Sequence, residues 1–158
     1  MLTRLLLEYS QNITAIELDR NLAAKLKESL PKTVHIITAD VLGVDLSEIA
    51  QQLDVRPCTR LRLVGNLPYN IATPILSRTL TISKNLKFWD ATYMLQLEVA
   101  RRITATAGTK DYGPLALLTL LHAEAKEVLR VSPGAFRPMP KVKSELVSLR
   151  FRRNNQQP

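Results

Sequence analysis

The sequence predicts an α/β fold built on a mostly parallel sheet. Three observations predict it. Short apolar runs alternate with amphipathic segments of about ten residues from Ile13 onward, the pattern of right-handed βαβ units. Only the last two apolar runs, 126–131 and 144–151, have no helical pattern between them, so they read as an antiparallel pair. The chain also holds no internal repeat and no low-complexity segment. That leaves one domain over residues 1–151 and a tail, 152–158, whose composition reads as disordered.

The elements follow in order. Residues 2–9 read as the end of a helix. A strand at 13–18 is followed by Asp19 as N-cap and a helix to Leu30, stopped by Pro31. A second strand spans 34–39, a short helix 45–53, and a third strand 60–65. The helix at 72–82 carries Pro74 in its first turn, where a missing N–H costs nothing. A fourth strand is expected at 91–97, then a helix at 98–107 ended by Gly108. A further helix spans 113–125 and leads into the closing strands. Between those strands lies the proline-rich stretch SPGAFRPMPKVK.

Composition excludes several classes. A chain of 158 residues can bury roughly 70% of its unfolded surface, and 46% of its residues are apolar, as in globular proteins. No apolar run approaches the roughly 20 residues of a membrane span. The opening MLTRLLLEYS is too short for a signal peptide and is interrupted by Glu8. The single Cys58 can form neither an internal disulfide nor a metal cluster, so the cytoplasm is the expected compartment and no metal is expected. The net charge is +8, and it is uneven. Residues 1–100 carry eleven basic and ten acidic side chains, whereas residues 101–158 carry eleven and four. A basic excess at one end suits a polyanion, most simply nucleic acid, although a generally basic surface explains it equally.

Ligands in open α/β sheets bind beyond the carboxyl ends of the strands. The strand at 13–18 ends at Glu17, an acceptor for ribose hydroxyls or a carboxylate that starts the next helix. The second strand ends at Asp40, which could accept from an adenine amino group or could cap a turn. The third runs into Asn66-Leu67-Pro68-Tyr69. Asparagine offers an acceptor and a donor. Proline biases Leu67 to extended geometry, which can turn its carbonyl outward. Tyr69 offers a flat face for a base, a contact worth roughly 1–3 kcal/mol. A plain type I turn explains the proline but not this order of parts. His35 and His122 lack a partner pattern and read as structural.

The stretch GNLPYNIATPIL resembles the KsgA-type rRNA adenine dimethyltransferases. The likeness continues in MLQLEVARRI (94–103), GTKDYGPLALL (108–118) and AFRPMPKVKSELVSL (135–149), and so covers nearly all of residues 1–151. The resemblance implies a Rossmann-like S-adenosylmethionine-dependent methyltransferase core acting on small-subunit rRNA or its precursor ribosomal particle, and a monomer is expected. It implies that Glu17 holds the cofactor ribose, Asp40 the adenine amino group and the Val41 backbone the neighbouring ring nitrogen. Asn66 and the Leu67 carbonyl would hold the target amino group, Tyr69 would stack on a flipped-out target base, and Phe136 would supply a second face. Arg101, Arg102, Arg137, Lys141 and Lys143 would contact RNA phosphates. Relative to that family, the first strand, its glycine-rich loop, an N-terminal RNA-contacting segment and a C-terminal helical domain are missing. Leu97 stands where a lysine is usual, and Lys143 where an acid is common. Two other readings are an Erm-type enzyme acting on large-subunit rRNA and a non-catalytic RNA-binding or ribosome-assembly protein.

Overall fold

The computed structural model describes residues 2–10, 12–53, 60–83 and 88–152. Cys58 and residues 153–158 of the expected tail lie outside the described residues. The chain divides into two compact units, Met1–Ile49 and Ala50–Pro158.

The first unit contains α1 (Leu2–Leu6), β1 (Ile13–Glu17), α2 (Arg20–Ser29) and β2 (Val34–Thr38). Strand β1 pairs with β2 in parallel, from Ile13 opposite Val34 to Glu17 opposite Thr38. The crossover is α2, which starts where Asp19 Oδ1 accepts the N–H groups of Asn21 and Leu22 at 2.8 and 3.0 Å. This side chain satisfies two of the helix's otherwise unpaired donors. A small core of Ala23, Leu30, Val34 and Ile36 joins helix to sheet, with Leu7, Ile13, Ala15 and Leu26 packed against it. Asp45 repeats the capping device, its Oδ1 accepting Ser47 and Glu48 N–H at the start of α3 (Leu46–Leu53).

The second unit holds β3 (Leu61–Asn66), α4 (Ala72–Ile82), β4 (Phe88–Gln96), α5 (Leu97–Thr104), α6 (Pro114–His122), β5 (Ala123–Val131) and β6 (Ser144–Phe151). Its sheet has the order β3-β4-β6-β5. Strands β3 and β4 are parallel, and β6 runs antiparallel to both β4 and β5. The closing antiparallel pair is therefore as the sequence predicts. The described strands form two sheets rather than one, and the unit's own sheet is mixed. Among the described residues β1 pairs only with β2, and β3 only with β4.

Alternation along the strands separates two faces. Ala91, Tyr93 and Leu95 of β4 share one face with Val147 and Leu149 of β6, and all are buried. Leu76 and Leu80 of α4, Ala100 and Ile103 of α5 and Ala116 of α6 are buried as well. The opposite face bears a row of alternating charge across the four strands, Arg62, Asp90, Arg150 and Glu124. Within it, Arg62 grips Asp90 with two 2.8 Å hydrogen bonds. That pairing lets a carboxylate sit at 7% exposure, because both its oxygens are satisfied.

Three boundaries of the second unit differ by three residues from the sequence expectation. Strand β4 begins at Phe88, three residues early, because Arg62 on the neighbouring strand neutralises Asp90. Helix α5 stops at Thr104, whose hydroxyl turns back to the Ala100 carbonyl, and Ala105 is extended. Gly108, with φ of 88°, instead serves the turn that follows. Helix α6 ends at His122 because Ala123–Ala125 are claimed by pairing with β6.

Tyr93 is almost fully enclosed beneath Thr79 of α4. Burial pushes its phenol up to about 12, with the Thr79 hydrogen bond pulling weakly the other way. The folded state thus holds this proton more tightly than the unfolded chain. Its contribution is complete below about pH 10 and is lost between about pH 10 and 12, at about 1.4 kcal/mol per pH unit. Denaturation measured at about pH 9 and about pH 11.5 should show this loss in the native protein and a flatter profile in Tyr93→Phe.

Candidate nucleobase site at the end of β3

The motif turn grows out of β3 at Asn66, whose backbone is still in register with Met94. Leu67 then anchors it: its side chain is buried, and its N–H donates to the Met94 carbonyl at 3.3 Å. Pro68 closes the turn by accepting the Ile71 N–H at 3.1 Å, one residue before α4 begins. Asn66 and Pro68 remain exposed. The Tyr69 hydroxyl meets the Ser144 Oγ at 3.0 Å, while the residue keeps 37% of its surface open. Ser144 itself is completely buried on β6. A ring with its hydroxyl tied and its surface exposed is a preoriented stacking surface.

Gly65 is set by close approach. A Cβ there would lie 2.9 Å from Leu67 Cδ2 and 3.3 Å from the Tyr93 ring. Gly65→Ala should push Leu67 out of its anchor and cost about 1–3 kcal/mol by overpacking. Chemical denaturation checks the cost, and a change in Tyr69 accessibility to nitration checks the displacement of the turn.

The other expected residues fall in several places. Glu17 and Asp40 belong to the first unit, at the carboxyl ends of β1 and β2. Glu17 is half-buried, and its Oε1 accepts the Asp19 N–H at 3.0 Å. Asp40 Oδ1 accepts the Leu42 N–H at 2.9 Å, and the Asp40 carbonyl accepts Gly43 and Val44. Both acids thus do the local capping work that was their alternative reading. Val41 follows directly on Asp40 and is half-buried. Phe136 is half-buried after the short 3-10 turn Pro133–Ala135, and among the described residues no ring contact joins it to Tyr69. Arg101, Arg137, Lys141 and Lys143 are exposed and make no ion pair among the described residues. Arg102 is bound to Glu98 one helical turn away. The Lys143 carbonyl accepts the Leu97 N–H at 3.0 Å, which ties the start of α5 to the basic loop. Sequence reasoning missed Ser144 and Gly65. Both lie inside the quoted motifs, but their partners are fixed only by the folded sheet.

A nucleoside-bearing cofactor can be tested against the donor set. Ribose hydroxyls and an adenine amine are donors, and Glu17 and Asp40 are acceptors at strand ends, so the nucleoside half fits. For the methionine half, the five glycines, at 43, 65, 108, 113 and 134, form no closely spaced pair of the kind that lets a backbone approach a ligand.

Comparison with known proteins places the chain in a family. The family model for ribosomal RNA adenine dimethylase matches residues 1–158. The chain is 41% identical over 151 residues to ribosomal RNA small subunit methyltransferase A of Verminephrobacter eiseniae, covering 94% of this chain and 52% of that protein. It is 43% identical to the protein of the same name from Albidiferax ferrireducens, with coverages of 94% and 54%. Among solved structures, the 23S rRNA methyltransferase ErmE superposes with a TM-score of 0.74 at 30% identity, over 96% of this chain and 57% of that one. A dimethyladenosine transferase from Plasmodium falciparum superposes with 0.76 at 24% identity, over 96% and 52%, which speaks for the fold alone. The fold is that of the Rossmann-like methyltransferases. More narrowly, the chain belongs to the ribosomal RNA adenine dimethylase family. It spans about half the length of the curated relatives it matches. Among the described residues no helix is long and apolar enough to cross a membrane.

Proposed function

We propose that this chain serves the dimethylation of adenine amino groups in small-subunit ribosomal RNA, its own clearest share being the grip on the target amine. The observation that carries this reading is the Asn66–Tyr69 turn, with Tyr69 tied to buried Ser144, in a chain of this family. The Asn66 side-chain oxygen and the Leu67 carbonyl accept the two amine hydrogens, which aims the nitrogen lone pair away from both. Tyr69 holds the ring by stacking, and Phe136 covers its other face. Extrusion from the stack exposes the amine to these groups.

S-adenosylmethionine, when bound, supplies a methyl group on a sulfonium sulfur. Glu17 would hold its ribose, Asp40 its adenine amine and Val41 the adjacent ring nitrogen. Fixing the acceptor amine removes much of the entropic barrier to transfer. The exposed cations Arg101, Arg137, Lys141 and Lys143 would position RNA through its phosphates, with Arg102 shared between Glu98 and RNA. The names of the curated relatives favour small-subunit over large-subunit RNA.

The test is incubation with radiolabelled S-adenosylmethionine and small-subunit rRNA. Label on adenine amino groups supports the proposal. The scattered glycines favour one second reading, a non-catalytic RNA-binding protein. Salt-sensitive RNA binding with neither label nor cofactor binding by calorimetry would decide for it.

A further inference from the structure

A second aromatic site lies at the opposite end of the same sheet. Between β3 and β4 the register slips, so that Leu61 faces Phe88 and Arg62 faces Asp90. Trp89 is the extra residue, and such a bulge redirects its side chain. Two guanidinium groups lie over the redirected ring, Arg60 at 4.0 Å and Arg150 at 5.3 Å from its centroid. Each arginine is exposed, and the indole is half-buried. The acids of this region are already engaged, Asp90 by Arg62 and Glu124 by Lys126 at 3.0 Å. Among the described residues neither Arg60 nor Arg150 makes an ion pair within 4 Å, although Glu124 and Asp90 flank Arg150 across the strands, and both exposed guanidinium groups can attract phosphate.

We propose that Arg60, Trp89 and Arg150 form a second RNA-contact site that takes single-stranded RNA. Bases stack on indole or guanidinium planes, and the arginine edges meet the backbone phosphates. The site lies about 15 Å along the strands from the Asn66 turn, so it engages nucleotides other than the target adenine. Its role is to hold flanking RNA. A purely internal brace would need only one arginine over the ring, and would not need both to remain exposed.

The inference rests on the reading of the chain as acting on RNA, and its test separates the two. Trp89 is the only tryptophan of the chain, so its fluorescence reports this site alone. Titration with an oligoadenylate of about twelve nucleotides should quench it saturably, and added salt should reverse the quench. Trp89→Leu should weaken binding, followed by anisotropy of a labelled oligonucleotide, by about 10-fold. Arg60→Gln with Arg150→Gln should do the same and reduce the salt slope by about 1.4. Binding that proceeds without quenching, or with unaltered affinity in both variants, overturns this site while sparing the target-base reading. Absence of any RNA binding overturns both.

Discussion

Alanine at Asn66 is expected to lower methyl transfer by at least about 100-fold while leaving the fold intact. Asn66 is exposed, and no hydrogen bond of its side chain is seen among the described residues. Its truncation should therefore change stability by no more than about 0.5 kcal/mol. The loss falls on chemistry, because the amine would keep one acceptor, the Leu67 carbonyl, and lose its aim. Removing a single preoriented hydrogen-bond partner from a reacting centre costs on that scale. Radiolabel transfer measured beside a denaturation curve checks both halves. Unchanged transfer with an unchanged curve would remove Asn66 from the site.

Leu95→Ala is expected to be the most damaging single truncation for stability, at about 2–5 kcal/mol. Leu95 has no exposed surface, and its strand lies between β3 and β6. The cavity would open on the helix-covered face, beneath the segment where β4 passes directly into α5. It would also loosen the neighbouring Met94, whose carbonyl anchors Leu67. Urea denaturation should show a lowered midpoint with little change in slope. Tyr69 should become more accessible in the variant even where it remains folded, because the turn hangs on that strand.

How much of this was legible in the sequence depended on the range of the forces involved. Helix α4 and strand β6 fell where periodicity placed them, since Pro74, the apolar alternation of 144–151 and their flanking turns are local signals. The start of β4 was not legible. Asp90 looks like a break until Arg62, 28 residues away, is seen to neutralise it. The end of α6 was misread for the same reason, because strand pairing with β6 outweighed the helical preference of Ala123 and Ala125. At the site, the order Asn-Leu-Pro-Tyr was readable, but not what holds it. Tyr69 reaches Ser144 across 75 residues. The acids Glu17 and Asp40 were found at strand ends as expected, and each was also doing the turn-capping its residue type suggests. Trp89 was invisible as a site because a bulge between two strands, not spacing along one, aims it.

The central claim is that the Asn66–Tyr69 turn recognises an adenine by its amino group. The most direct measurement compares two single-stranded RNAs of the same sequence, one with adenine and one with unsubstituted purine at the target position. Tighter binding of the adenine form by about 10-fold, lost in Asn66→Ala, is the result the account predicts, since two hydrogen bonds to the amine would be at stake. Equal affinity for the two RNAs in the native protein would contradict it.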